Sequence, residues 1–286
     1  MFSKIFLFEI QNRIRRPAVY LYFAAVLLFT LFAFSTGSLP VGEKEHINSP
    51  YLITFWCCGM TMMMMLISSS VMGTALYRDI EYQTKDYYLT YPITKNGYFW
   101  GRYLGSFTFM ILIALAVPIA IYLSTYIGPL TGKTVPAQYG PNRFIYYLYP
   151  FLIIAIPNIF FTSSLFYGLV AITRNVKVIY FGGILLFLFY FIALFFLDHT
   201  TNTTVIGISD PFGLNGVRFQ MNNSSTSQHN NSLIAFNGPL AINRFLWPGL
   251  GLVVLIITYI RFNFEAFFAG KRDKASIDET STRSNK

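Results

Sequence analysis

The stretch VIYFGGILLFLFYFIALFFL, residues 178–197, holds fifteen Val, Ile, Leu or Phe side chains in twenty and no charge. Twenty residues of α-helix rise ~30 Å, the thickness of a bilayer's hydrocarbon core. At about −0.3 to −0.6 kcal/mol each on the insertion scale, the fifteen residues favour the membrane by about 4 to 9 kcal/mol. The segment reads as a transmembrane helix, and the chain repeats the pattern on either side of it. Uninterrupted apolarity predicts six spans, at 18–34, 51–76, 104–127, 144–172, 178–197 and 245–260, with no Asp, Glu, Lys, Arg or His in their cores. The sixth is short, so Arg244 and Arg261 are expected to reach the headgroups from its two ends. Pro118 and Pro157 fall inside the third and fourth spans and predict kinks there.

Composition agrees. Over 286 residues, 54% are hydrophobic and 12% charged, which excludes a disordered chain and departs from the roughly one-quarter charged residues of soluble domains. The fold class is an all-α membrane protein, read as one domain over 18–262. Cys57 and Cys58 are adjacent inside an apolar run, outside any metal-ligand spacing, and read as buried reduced thiols.

The net charge of +9 reports topology rather than nucleic acid. Alternate loops hold sixteen Lys and Arg against five, the larger set lying around 4–16, 78–102, 174–177 and 261–286. The positive-inside rule then places both termini in the cytoplasm, with +8 inside and +1 outside once acids are counted. The basic region ahead of the first span is long for a signal peptide, and removing that span would spoil the charge alternation, so it reads as retained. Residues 1–17 predict an amphipathic interfacial helix. Phe2, Phe6, Ile10 and Ile14 recur every four residues, with Lys4, Gln11, Asn12, Arg15 and Arg16 largely opposite and Ile5, Phe8 and Arg13 interrupting the pattern. Residues 263–286 read as a cytoplasmic tail.

The outer loop, 198–244, is dense in Asn, Ser, Thr and Gly and reads as low-complexity. Its four Asn-x-Ser/Thr matches, at Asn202, Asn222, Asn223 and Asn230, read as a product of that composition. The more apolar portion 205–217, with Asp210, Pro211, Phe212 and Gly213, is expected to dip into the outer leaflet as a candidate outer gate. No catalytic motif is present, and His46, His199 and His229 are isolated. The run Gly128-Pro129-Leu130-Thr131-Gly132-Lys133-Thr134 imitates a phosphate loop, yet it has three residues between its glycines where four are needed and no strand ahead of it. It reads as an outer turn.

The informative segment is the cytoplasmic loop 77–103, which mixes both charge signs with tyrosines at the membrane surface. Arg78 and Glu81 are three apart and can pair on a helix, the tyrosines anchor at headgroup level, and Tyr91-Pro92 ends the helix. An acidic pair after the second span (Asp79, Glu81), Thr84, a Leu-x-x-Pro-Ile step (Leu89, Pro92, Ile93), a basic residue (Lys95) and a return helix from Tyr98 to Arg102 resemble the membrane subunits of ABC-2 type exporters. Gln83 stands where that family often has Gly. The chain is also similar to the N-terminal permease portion of long bacterial members that carry further membrane and peptidase regions.

The resemblance implies a non-enzymatic permease of a bacterial inner membrane. It holds no cofactor itself, ATP and Mg being bound by a separate ABC ATPase subunit. A second permease unit, either another copy or a related six-span half, would complete the pathway. The ATPase-coupling interface would be Arg78, Asp79, Glu81, Thr84, Lys85, Leu89, Pro92, Ile93 and Lys95. The competing readings are an ion-coupled secondary transporter, which usually keeps ionisable residues inside its spans, and a non-transporting membrane scaffold.

Overall fold

The computed structural model describes residues 2–39, 41–42, 44–82, 93–198 and 202–263, and all regular structure among them is helical. In chain order the helices are α1 Phe2–Ile14, α2 Pro17–Ser35, α3 Pro50–Glu81, α4 Lys95–Ala114, α5 Ala116–Leu130, α6 Phe144–Pro150, α7 Ile156–Thr173, α8 Val176–Asp198, α9 Thr203–Ser209, α10 Leu214–Asn222, α11 Thr226–Asn231 and α12 Gly238–Arg261. Five segments among the described residues are long and apolar enough to cross a membrane: Pro17–Ser35, Pro50–Glu81, Lys95–Leu130, Phe144–Thr173 and Gly238–Arg261. The chain is an all-α, multi-pass membrane protein. In α8 the described apolar stretch is Tyr180–Ile192, and the helix packs against α3.

Local chemistry explains the boundaries. Ser49 Oγ accepts from Leu52 N at 3.3 Å with Pro50 in the first turn of α3, and Thr94 Oγ1 accepts from Gly97 N at 3.2 Å at the start of α4. Pro118 lacks an N–H and crowds the carbonyl of Ala114; the third span accordingly breaks at Leu115, between α4 and α5. In the fourth span a π-helical turn, Phe151–Ala155, joins α6 to α7, and Ile153, whose carbonyl Pro157 cannot bond, lies within it.

α3 is the centre of the bundle, in contact with α4, α7 and α8. Its most apolar window is 67% buried, against 28% for α2 and α12, so the latter two turn residues such as Leu21, Leu28, Phe32, Val253 and Ile256 outward to lipid. Segments that charge assigns to one side gather at one end. There α1, the end of α3, the start of α4 and the end of α12 meet, with Phe262 stacked on Tyr98 and Lys95 Nζ 4.7 Å above the Tyr259 ring. At the opposite end the segments 36–39, 44–49, 131–143 and 202–237 interlock. Asn48 exchanges two hydrogen bonds with the Gly140 backbone, at 3.0 and 2.6 Å, and Asn230 Nδ2 donates to Lys44 O at 2.9 Å.

Residues 202–237 form three short helices rather than a low-complexity loop. Many of their polar residues are caps: Asn202 Oδ1 accepts from Thr204 N and Val205 N, and Ser225 and Gln228 form a capping box around the start of α11. Asn230, one of the four Asn-x-Ser/Thr asparagines, is buried. The phosphate-loop imitation begins inside the last turn of α5, so a helix and not a strand precedes it, and Lys133 is exposed.

This arrangement predicts a labelling pattern in intact cells. Cys57 and Cys58 are buried, leaving a quiet background. A cysteine at exposed Ser227 should react with a membrane-impermeant maleimide, and one at exposed Lys177, at the α1 end, should react only after permeabilisation. The reverse pattern would invert the orientation.

Candidate functional site

Ile5, Glu9 and Arg13 recur every four residues and form the buried ridge of α1. They are not the face that the amphipathic pattern selects. Ile5 and Arg13 are positions where that pattern fails, because this ridge packs on protein while Phe2, Leu7, Phe8 and Ile14 stay exposed. The ridge lies on Gly101 and Gly105 of α4. A Cβ on Gly101 would stand 2.9 Å from Ile5 Cγ2, and one on Gly105 would stand 2.8 Å from Glu9 Cβ and Cγ, so both positions require glycine for the helices to approach this closely.

The approach places the Glu9 carboxylate among three guanidinium groups. Oε1 accepts from Arg13 Nε at 2.7 Å and from Ser106 Oγ at 3.3 Å; Oε2 accepts from Arg78 Nη2 at 2.9 Å and from Arg102 Nη1. Arg102 Nη2 also donates to both oxygens of Asp79, at 2.8 and 2.6 Å, and Tyr98 donates its hydroxyl to Asp79 Oδ2 at 2.7 Å. Arg13 Nη2 donates to Val71 O and Ser106 Oγ, both at 2.8 Å. Glu9, Arg13, Arg78, Asp79 and Arg102 are all buried. Burial pushes the Glu9 carboxyl up, but Arg13, Arg102 and Arg78 outweigh it and bring it down from an ordinary 4.5 to about 2.

The structure therefore redistributes the predicted coupling residues. Arg78 pairs with Glu9 rather than with Glu81, which stands exposed at the end of α3, because Arg78 faces the core one turn earlier. Asp79 belongs to the buried cluster. Ile93 and Lys95 are half-buried at the start of the return helix. Thr84, Lys85, Leu89 and Pro92 lie outside the described residues.

At the opposite end Asp210, Pro211, Phe212 and Gly213 form a buried turn between α9 and α10. Asp210 Oδ1 accepts from Tyr190 OH at 2.6 Å and Phe212 N at 2.9 Å, and Oδ2 accepts from Asn215 N at 2.8 Å. Asn243 Nδ2 donates to the carbonyls of Gly207, Ile208 and Asp210 at 2.8, 3.0 and 2.6 Å. Trp247 Nε1 donates to Ile208 O at 3.0 Å. Arg244 does not reach for headgroups. α12 starts at Gly238, which carries Arg244 into the bundle, where it donates to Asn158 Oδ1 at 2.7 Å and to Pro211 O at 3.2 Å. Asn158 Nδ2 in turn donates to Thr61 Oγ1 at 2.8 Å and Phe212 O at 3.0 Å, so the turn reaches the level of Thr61 on α3. Gly213 sits at φ +76°, and a Cβ there would lie 2.7 Å from Arg244 Nη2.

Sequence reading missed Glu9, Arg13 and Arg102 as a cluster, and Asn158, Tyr190, Asn243 and Arg244 around the turn. Two signals were available for the first group: the i, i+4 spacing of Glu9 and Arg13 and the Gly101-x-x-x-Gly105 pattern. Nothing in the chain announces the second. Among the described residues no group of three or more His, Cys, Asp or Glu side chains is placed to hold a metal. The chain matches no known protein-family profile and no curated protein sequence.

Removing Glu9 leaves three buried guanidinium groups with Asp79 as their described carboxylate partner. Glu9→Gln should cost about 3 to 5 kcal/mol, read as a lower midpoint in detergent denaturation. In the parent protein the folded-state pKa lies below the ordinary value, so the contribution is complete above pH 4.5 and is lost as pH falls towards about 2. Its size is about 3 kcal/mol. The variant should lack this acid transition; an unchanged acid transition would show that Glu9 is not its source.

Proposed function

We propose that this chain is the permease subunit of an ATP-driven ABC exporter. It crosses the membrane six times, with α8 as the fifth span, α1 in the cytoplasmic interface and both termini cytoplasmic. The connection between α3 and α4 docks on a separate ATPase subunit that binds ATP and Mg, and a second permease unit completes the pathway. One observation carries the reading. The two roots of that connection, Arg78 and Asp79 before it and Tyr98 and Arg102 after it, are bonded to each other and to Glu9 of α1. A force applied at the connection therefore reaches α1, α3 and α4 as one body, which is what coupling to an external motor requires.

The buried Asp210 and Arg244 favour the alternative of an ion-coupled secondary transporter, because such proteins hold ionisable groups inside the bundle. Their bonding supports the first reading instead. The Asp210 carboxylate accepts three hydrogen bonds and Arg244 binds two side-chain amides and a backbone carbonyl, which suits holding a turn rather than loading and releasing an ion.

Glu81 is the residue on which to test coupling, since it is exposed and its replacement leaves the buried cluster untouched. Glu81→Lys should insert and fold normally, yet retain at least tenfold less ATPase on purification from the native host, as reversing a contact charge typically costs more than 1.4 kcal/mol. Lys133→Ala, on the far side, should change nothing. Purification of the parent chain with no ATPase attached, together with transport driven by an ion gradient, would overturn the exporter reading in favour of the alternative.

A further inference from the structure

The corner between α10 and α11 carries a histidine whose two ring nitrogens both face acceptors. His229 Nδ1 lies 3.1 Å from Glu45 Oε1, and Nε2 lies 3.0 Å from the carbonyl of Met221. A carboxylate and a backbone carbonyl have no proton to offer. Neutral imidazole carries one N–H, so one contact would set a lone pair against an oxygen; imidazolium donates to both. The ring also stacks on Tyr51, with centroids 4.8 Å apart, where the electron-rich face favours a cation. The side chains of His229 and Glu45 are only 14% and 13% exposed, which keeps water from replacing either bond freely.

We propose that His229 is an acidity-sensitive clasp on the loop-bearing face of the protein. Protonated, it ties the first outer segment, through Glu45, to the end of α10 and to α11. Deprotonated, it releases one of the two contacts and loosens that corner. The inference does not depend on what the protein moves or on its source of energy.

The groups around the ring support a local switch. The first outer segment brings Glu45 to the imidazole and α3 brings Tyr51; Lys44 and His46 flank Glu45 in sequence, and Arg218 lies about one turn before Met221 on α10. The neighbouring ties are made without the imidazole. Asn230 accepts from His46 N at 2.8 Å and donates to Lys44 O at 2.9 Å, and the Tyr51 and Ser224 hydroxyls meet at 3.2 Å. Losing the clasp therefore opens one corner and leaves the remaining contacts between the outer segments in place.

Amide exchange of residues 226–231, measured by mass spectrometry on the full-length protein in lipid nanodiscs and corrected for intrinsic pH dependence, tests the proposal. The parent protein should be at least tenfold better protected at pH 5.5 than at pH 8.5, the equivalent of one charged hydrogen bond. His229→Gln should show no step. Glu45→Gln, which removes the anionic acceptor while keeping its shape, should reduce the step and serves if the histidine variant fails to fold. A parent protein with equal corrected protection at both pH values, or an undiminished step in His229→Gln or Glu45→Gln, would overturn the clasp.

Discussion

Glu9 sits within bonding distance of three guanidinium groups out of contact with water, and the arrangement at that end of the protein depends on it. A buried ion cluster gains little over a well-packed apolar one, yet removing one member is costly because the others stay behind unpaired. The carboxylate comes from α1, whereas Arg78 and Arg102 come from α3 and α4. Arg102 also pairs with Asp79 of α3, so the carboxylate of α1 adds a second anion to the junction of α3 and α4, and α1 cannot sit so close unless Gly101 and Gly105 stay bare. The α1 contact thus reinforces a junction of α3 and α4 that Asp79, Tyr98 and Arg102 already bond directly.

The opposite end uses a different chemistry for a different constraint. The end of α9 and the turn after it leave carbonyls without intrahelical partners among membrane helices, where lipid cannot satisfy them. Asn243, Arg244, Trp247 and Asn158 supply N–H donors to the carbonyls of residues 207, 208, 210, 211 and 212 in succession. Amides, one guanidinium and one indole serve here because the need is for donors aimed at fixed oxygens, whereas the α1 end must balance charge.

Five spans were legible because lipid imposes one strong rule, a long apolar run, which 17–35, 50–81, 95–130, 144–173 and 238–261 obey. The kinks at Pro118 and Pro157 followed from proline's missing N–H. The site was less legible, for a physical reason. Apolarity finds the part of a helix facing lipid, but α3 continues through Arg78 and Asp79 to Glu81, and α4 begins at Lys95, well before its apolar run. Charges on those extensions look like loop residues until a third helix covers them. Arg244 was misplaced in the same way, since α12 begins six residues before it. The polar residues of 202–237 looked featureless because capping depends on which backbone N–H stands nearby, which composition does not record.

α3 is where the two ends meet. It is helical from Pro50 to Glu81 with no proline beyond its first turn, whereas the spans of α4–α5 and α6–α7 are broken and α12 carries Pro248. Thr61 belongs to the network of the buried turn and Arg78 to the ion cluster. Seventeen residues of unbroken helix separate them, about 26 Å at 1.5 Å per residue. A helix with every internal hydrogen bond in place resists compression, so axial displacement of Arg78 must appear at Thr61 or break one of the networks. The kinked helices packed beside it can absorb bending where α3 cannot. The polar clusters at the two ends are therefore joined by one continuous helix, although the residues that build them come from helices far apart in the chain.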